Sequence, residues 1–139
     1  MELNKQYHAI LTGTKPSSIA RVIAASLNKI GWHTWLYSRK VQPSDKNLMH
    51  IRQCDVTNHK QITQLIEEIP SINLAINMAD SGTAFGELTL LSPEDITSFV
   101  DVKVTGSLLL SRAILQKSTK QNIHTKLVWT AGKPTDNGK

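Results

Sequence analysis

The apolar residues of this chain fall into short runs, separated by longer segments in which they recur every three or four positions. Short runs bounded by glycine, proline and polar residues are typical of buried strands, and the periodic segments predict amphipathic helices. The alternation of the two predicts a parallel sheet with helices on both faces. The five predicted strands are residues 7–12, 32–37, 49–54, 72–78 and 126–130.

The first predicted helix begins and ends at characteristic residues. Ser17 or Ser18 can cap its N-terminus, because a serine hydroxyl accepts a hydrogen bond from a free N–H of the first turn. Gly31 suits the C-terminal end, where the chain often turns left-handed. The apolar positions expected on one face are Ile19, Val22, Ile23 and Leu27.

A longer helix is predicted after the fourth strand. Residues 92–95, Ser-Pro-Glu-Asp, supply a cap, a first-turn proline and two acids that face the positive end of the helix dipole. The helix is expected to run to about Gln116, with Gly106 as a weak point in its middle. Residues 41–47, between the second and third strands, are predicted to form a loop.

The first strand, its turn and the first helix form the unit that binds phosphate in Rossmann domains. Gly13 would allow the tight turn, and the helix N-terminus would offer free N–H groups to a pyrophosphate. Two further glycines of the usual dinucleotide fingerprint are absent, although Ser18 and Ala20 are small enough for close backbone approach. The turn therefore predicts a phosphate site, with a plain strand–helix connection as the alternative.

Five short motifs follow one another in the order and spacing of a known family. Thr12-Gly13 with Ser18-Ile19-Ala20 is the first, Cys54-Asp55-Val56 the second, and Asn77-Met78-Ala79-Asp80 the third; residues 91–95 and 101–106 complete the set. Together they resemble the short-chain dehydrogenase/reductase family over residues 7–132. The first motif is similar to the divergent enoyl-acyl-carrier-protein reductase branch of that family.

The resemblance implies a Rossmann-like, doubly wound α/β sheet of about five strands in the order 3-2-1-4-5, ending before the last strands of the family's full fold. It makes residues 1–132 one nucleotide-binding domain and 133–139 a polar tail. The residues it places at the cofactor are Gly13, Lys15, Ser18, Ile19, Arg39, Asp55, Val56, Asn77 and Ala79.

The residues after the second strand predict which dinucleotide is preferred. An NAD-binding domain usually has an acid there for the ribose hydroxyls, whereas a base there meets the 2′-phosphate of NADP. This strand is followed by Arg39 and Lys40, and Lys15 adds a positive charge from the first turn. NADP is therefore the predicted cofactor and NAD the less favoured one, with an ordinary solvated loop as the alternative.

The chain departs from the family at its catalytic positions. Lys103 aligns with the family's catalytic asparagine, and the catalytic serine has only Thr130, Ala131 or Gly132 as a counterpart. No tyrosine is followed four residues later by a lysine. No catalytic residue is therefore assigned, and we expect a binding or assembly module without chemistry of its own. The alternatives are an NADP-dependent oxidoreductase completed by replacement residues or a partner chain, and a basic adaptor without cofactor.

Composition narrows the remaining possibilities. The net charge of +5 permits an anionic partner, but the sixteen Lys and Arg are spread out and lack interleaved aromatics, so nucleic acid is not favoured. Cys54 is the only cysteine and the histidines lack metal-ligand spacing, so neither an intrachain disulfide nor a metal site is predicted. The absence of a signal-like or membrane-spanning run predicts a cytoplasmic protein.

Self-association is predicted from the apolar residues of the long helix and from the fifth strand. The helix has more apolar positions than one sheet face needs, namely Leu108, Leu109, Leu110, Ile114 and Leu115. The fifth strand would form an open sheet edge with Trp129 beside it. We therefore expect a homo-oligomer, the alternative being that residues 132–139 fold over the edge.

Overall fold

The computed structural model describes residues 5–81 and 87–130, which form one six-stranded sheet with helices on both faces. The strand order is β3-β4-β2-β1-β5-β6, and every neighbouring pair is parallel except β3 and β4. The strands are β1 (His8–Thr12), β2 (His33–Ser38), β3 (Ser44–Lys46), β4 (Met49–Gln53), β5 (Leu74–Asn77) and β6 (Lys126–Trp129).

The predicted doubly wound topology is confirmed. The order 3-2-1-4-5 of the five predicted strands corresponds to β4-β2-β1-β5-β6. The prediction of an unstructured loop over residues 41–47 was wrong in part, because Ser44–Lys46 form an antiparallel edge strand on β4. This strand is short, polar and fully exposed, so no apolar alternation marks it in the sequence. Asn47, at φ +53°, makes the turn between the two strands.

The helices are α1 (Ile19–Lys29), α2 (His59–Glu68), α3 (Pro93–Val100) and α4 (Ser107–Gln121), with a 3₁₀ turn at Leu88–Leu90. A π-helical segment, Asp101–Gly106, joins α3 to α4, so the long helix continues past the predicted end near Gln116. Ser92 and Asp95 form the predicted N-terminal cap, each side chain bonding the other's backbone N–H. Gly106 does not break the helix, and it lets the helix approach Val56, whose Cγ2 would lie 2.8 Å from an added Cβ.

The apolar face of α1 differs from the predicted one. Ala20 and Ala24 are buried against the sheet, and Ile23 and Leu27 are partly buried beside them. Ile19 is 72% exposed and Val22 66% exposed. The four inward positions follow the helical spacing i, i+3, i+4 and i+7, so small residues rather than the larger Ile19 and Val22 allow α1 to approach β1 closely.

The sheet separates two apolar cores. One core lies between the sheet and helices α2 and α4 and includes Ile10, Ile66 and Ile114. The other lies under α1 and includes Leu11 and Leu36. Because successive residues of a strand point to opposite faces, every side chain of β1 is buried on one side or the other. The central strands are therefore held firmly, and the loops at their carboxyl ends are carried on a rigid base.

Residues 131–139 and 82–86 lie outside the described part of the chain. The predicted boundary at 132, the tail 133–139, and the positions Ala131 and Gly132 therefore stay predictions. Within residues 5–81 and 87–130, no helix is long and apolar enough to cross a membrane.

Candidate nucleotide-binding site

A cavity of about 340 Å³ opens at the carboxyl ends of β1, β2 and β5. This end of a doubly wound sheet, where the strand order reverses beside β1, is where such folds bind nucleotides. Residues from both central strands and from the π-helical segment contribute to its wall. The lining consists of Thr12, Gly13, Lys15, Tyr37, Ser38, Arg39, Lys40, Cys54, Val56, Met78, Ala79, Asp80 and Val102.

Gly13 is required at the first turn for two reasons. Its φ of +70° lies in the left-handed region that favours glycine. A Cβ at this position would lie 2.3 Å from the carbonyl oxygen of Met78 and 2.7 Å from its carbonyl carbon. The turn after β1 thus rests directly on the backbone that leaves β5, and the missing side chain is what lets the two loops meet.

The remainder of the turn is held by polar contacts that the sequence did not single out. Thr14 is fully buried, and its hydroxyl donates to the carbonyl of Tyr37 at 3.0 Å. The Arg21 Nε–H donates to the carbonyl of Thr14 at 2.8 Å. Ser18 caps α1 by accepting from the N–H of Arg21 at 3.4 Å, as predicted for one of the two serines. Ser17 has a φ of +63°, in the left-handed region of backbone conformation, which serine rarely adopts and glycine adopts readily.

Asn77 lies beneath the cavity in a buried hydrogen-bond network. Its Oδ1 accepts from the Thr12 hydroxyl, and its Nδ2–H donates to the Ser107 hydroxyl at 2.6 Å. The Thr12 oxygen in turn accepts from the N–H groups of Met78 and Ala79 at 3.0 and 3.1 Å. The network joins β1, β5 and α4, so Asn77 supports the floor of the cavity rather than lining it.

Three basic side chains, Lys15, Arg39 and Lys40, line the cavity, and β2 ends without an acid. Arg39 reaches across to the far wall, where its Nη2–H donates to the carbonyl of Ser81 at 3.4 Å. Asp80 lines the same cavity, so the bases outnumber the acid there. The balance of charge around the cavity is therefore positive, which suits an anionic ligand.

A second cavity, of about 460 Å³, adjoins the first and shares Arg39 and Val102 with it. Asp55 lines this second cavity, and its Oδ1 accepts from the backbone N–H of Thr57 at 2.9 Å and from the Thr57 hydroxyl at 2.7 Å. Asp55 thus stabilises the turn that leads into α2. Asp55, which the resemblance places at the cofactor, thus lines the outer cavity and not the inner one.

The structure brings most of the predicted cofactor residues to one place. Ile19, however, is largely exposed at the first turn of α1 and lines neither cavity. Five of the nine line the inner cavity, one lines only the outer cavity, and the remaining three line neither. In that order they are Gly13, Lys15, Arg39, Val56 and Ala79; Asp55; and Asn77, Ser18 and Ile19.

Several lining residues were missed by the reasoning from sequence. Cys54 is buried in the wall, and burial together with the neighbouring Asp55 charge raises the pKa of its thiol to about 12, so it stays protonated. Val102 comes from the π-helical segment, far away in sequence. Five of the lining residues belong to motifs that were singled out but were not themselves assigned to the cofactor site, namely Thr12, Cys54, Met78, Asp80 and Val102.

The candidate catalytic replacements do not converge on the cavity. Lys103 lines neither cavity. Thr130 donates its hydroxyl to the carbonyl of Asn77 at 3.2 Å, so it caps the end of β5. Tyr37, which is not one of these candidates, lines the inner cavity, but its hydroxyl donates to the carbonyl of Leu65 at 3.1 Å, and burial raises its pKa well above 10. Within the described residues, no group of three or more His, Cys, Asp or Glu could hold a metal ion.

Solved structures share this architecture closely. A short-chain dehydrogenase from Bacillus anthracis superposes with a TM-score of 0.80 at 21% identity, over 88% of this chain and 54% of its own. A short-chain dehydrogenase from Leptospira borgpetersenii with bound NAD+ superposes with a TM-score of 0.78 at 18% identity, over 93% of this chain and 55% of its own. ElxO with NADP bound superposes with a TM-score of 0.76 at 17% identity, over 90% of this chain and 55% of its own. The chain has the short-chain dehydrogenase fold.

No protein-family model matches the chain. A probable chlorophyll(ide) b reductase of Arabidopsis thaliana, described as chloroplastic, is 30% identical over 89 residues, which is 61% of this chain and 18% of that protein. The chain spans about half the length of the solved short-chain dehydrogenases that it matches. The likeness predicted from the sequence is confirmed at the level of the fold.

Proposed function

We propose that this chain binds a nicotinamide dinucleotide in the cavity above β1, β2 and β5, with NADP(H) preferred to NAD(H). The observation that carries the proposal is the cavity itself. It lies at the reversal point of the sheet, beside the glycine turn, and three bases line it. The solved relatives named above include one with NAD+ and one with NADP, which supports this class of ligand.

Arg39 is the residue proposed to select NADP. It follows β2, lines both cavities and carries a planar guanidinium that can bond two phosphate oxygens at once. Lys15 and Lys40 add positive charge on the same cavity. An NAD-preferring site would have an acid after β2, and this chain has Arg39-Lys40 instead.

Binding is tested by thermal unfolding of the whole chain with and without millimolar NADP or NAD. A ligand present at one hundred times its Kd stabilises the fold by about 2.7 kcal/mol. For a domain of this size that raises Tm by roughly 10 °C. No change in Tm with either dinucleotide, together with no heat in calorimetry, would refute the proposal and favour a basic adaptor that has lost the cofactor.

Selectivity is tested by Arg39→Asp with Lys60→Asp as its control. Both changes reverse one positive charge, but Lys60 is exposed on α2 and lines neither cavity. A hydrogen bond to a charged group is worth about 1.5–3 kcal/mol, so Arg39→Asp should weaken NADP at least about tenfold and NAD much less. Equal losses for NADP and NAD would reject Arg39 as the selective residue.

We further propose that residues 1–139 transfer no hydride by themselves. No tyrosine of the sequence is followed four residues later by a lysine, and Tyr37, the tyrosine among the described lining residues, donates its hydroxyl to the carbonyl of Leu65. Lys103, aligned with the family's asparagine, does not line the cavity. A missing general acid typically reduces the rate about a hundredfold to ten-thousandfold. The chain would then act as a binding or assembly module.

Self-association is proposed through the long helix. Leu110 and Ile114, two of the five predicted residues, are buried and Leu109 is partly buried, so they belong to the core. Leu108 and Leu115 are exposed, and the exposed apolar stripe extends back along the helix to include Ile96, Val100 and Val104.

Charge favours an antiparallel arrangement of two copies of this helix. Its first half carries Glu94, Asp95, Asp101 and Lys103, which makes it acidic on balance, and its second half carries Arg112, Lys120 and the buried Lys117, which makes it basic. In an antiparallel pair each acidic half lies beside the partner's basic half, which is a self-complementary arrangement for a twofold dimer. The described outer edge of β6, with Val128 and Trp129 exposed, is the other surface available for association.

A further inference from the structure

Three histidines lie side by side at the amino ends of β1, β2 and β4. This end of the sheet is opposite the end that carries the nucleotide cavity. His8 of β1 is in register with His33 of β2, and His50 of β4 is in register with Trp35. Asp45 of β3 pairs with His50 across the antiparallel edge. We call His8, His33, His50 and Asp45 the histidine array. It crosses four strands, and neither cavity includes any of its members.

The rings of His33 and His50 are joined edge to edge by a hydrogen bond. Nδ1 of His33 lies 3.1 Å from Nε2 of His50, and the two ring planes differ by only 5°. The ring centres are 5.4 Å apart. This distance equals the nitrogen–nitrogen distance plus the distance from each ring centre to its own nitrogen. The two nitrogens therefore lie on the line between the two ring centres. This is the geometry of an N–H···N hydrogen bond between coplanar rings, not of rings stacked face to face.

The hydrogen-bond partners determine which nitrogen of each ring carries a proton. A carboxylate can only accept, so the contact of 2.6 Å between Asp45 Oδ1 and His50 Nδ1 places a proton on that nitrogen. In neutral His50 the Nε2 is then the acceptor for Nδ1–H of His33. The Trp35 indole donates to Nδ1 of His8 at 3.2 Å, so this nitrogen of His8 carries none. In the neutral state, Nδ1 of all three rings and Nε2 of His50 are thus hydrogen-bonded.

An added proton is poorly accommodated at the inner end of the array. His8 is only 3% exposed, and its ring centre is 4.8 Å from that of His33. Burial, followed by the neighbouring His33 and His50, lowers the pKa of His8 to about 4. Burial and His50 also lower the pKa of His33. A proton on Nδ1 of His8 would remove the acceptor for Trp35.

The charged groups around the array do not compensate such a proton. Asp45 is the carboxylate at the outer end, and it already accepts from Arg52 at 3.0 Å as well as from His50. Arg52 also pairs with Glu68 of α2 at 2.9 Å and lies 5.4 Å from the Trp35 ring centre. Within residues 5–81 and 87–130, no ion pair with a carboxylate is formed by His8 or His33.

We propose that the histidine array is an acid-sensitive latch, which ties β1, β2, β4 and β3 together while its imidazoles are neutral and opens when His8 or His33 gains a proton. Strands β1 and β2 also carry the nucleotide cavity at their carboxyl ends. Opening of the latch would therefore make the strands that support the cavity less rigid. The latch does not depend on whether a nucleotide binds.

The direction of the pH effect follows from proton linkage. The unfolded chain binds a proton at His8 near pH 6.5, whereas the folded chain does so only near pH 4. Stability contributed by neutral His8 is therefore complete above about pH 6.5 and is lost as the pH falls towards 4. Between pH 7 and pH 5 the folding equilibrium constant should fall by about 20-fold from His8 alone.

The test is urea unfolding of the whole chain, without ligand, at pH 7 and pH 5. In His8→Asn the amide oxygen can still accept from Trp35, but the side chain does not titrate. The matched control is His124→Asn, which removes an exposed histidine outside the array. We expect the wild type and His124→Asn to show the same fall, and His8→Asn to show a fall that is smaller by about 20-fold. An equal fall in all three proteins would overturn the proposal.

A measurement on the wild type covers the case in which His8→Asn does not fold. In a titration followed by nuclear magnetic resonance, the ring protons of His8 should change with a midpoint near pH 4, and the Trp35 indole N–H signal should change with them. A His8 midpoint at pH 6.5 or above, or a Trp35 indole signal that does not follow it, would overturn the latch.

Discussion

The contact between the first turn and the backbone after β5 can be tested at one glycine. In Gly13→Ala the added Cβ would lie 2.3 Å from the Met78 carbonyl oxygen, whereas real contacts of this kind are essentially never below 3.0 Å. The two loops must separate by about 0.7 Å, and the atoms that must move belong to the backbone. Overpacking of this kind costs typically about 1–3 kcal/mol. Alanine at φ +70° adds about 1–2 kcal/mol.

Gly31→Ala is the matched control for this change. Gly31 also has a positive φ, +87°, but nothing lies within 4 Å of the Cβ it would gain. Both changes remove similar conformational freedom from the unfolded chain, so this effect largely cancels in the difference. We expect Gly13→Ala to destabilise by about 2–5 kcal/mol in total, which is about 1–3 kcal/mol more than Gly31→Ala.

Urea unfolding, with the midpoint and slope fitted for each protein, measures the difference. Equal destabilisation by the two alanines would refute the steric argument and leave only the backbone conformation of Gly13 as the reason for its presence. A smaller loss in Gly13→Ala than in Gly31→Ala would show that the two loops do not meet as described.

Two further predictions concern the whole chain. A screen of carbonyl and enoyl substrates with NADPH should show no turnover by residues 1–139; turnover that persists on repurification and disappears in Lys103→Ala would contradict this. Light scattering should give a mass of twice 15.4 kDa or more at micromolar concentration, falling to 15.4 kDa in Leu108→Glu but not in Ser26→Glu, an exposed position on α1. A wild-type mass of 15.4 kDa throughout would reject association.

The candidate site was predictable where local backbone demands leave a mark on the sequence. Gly13 and Ser18 stood out because a tight turn and a helix cap each accept few residue types. Val102 belongs to the motif at residues 101–106 but was not assigned to the cavity wall, and Thr14 was not predicted to support the turn, because nothing in the local sequence shows which distant segments meet there. Which residues from distant parts of the chain come into contact is decided by tertiary packing, and a local sequence pattern does not predict it.

The periodicity of apolar residues by itself determined the alternation of strands and helices, and hence a parallel sheet with helices on both faces; the doubly wound strand order came from the resemblance to a known family. It did not determine β3, whose polar residues pair with β4 only because that edge is available. It also misassigned the face of α1, because the inward positions hold Ala20 and Ala24 where close approach to the sheet requires small side chains. Local propensity sets which elements form, but the distance between packed elements sets which side chains they bury, and that distance exists only in the folded chain.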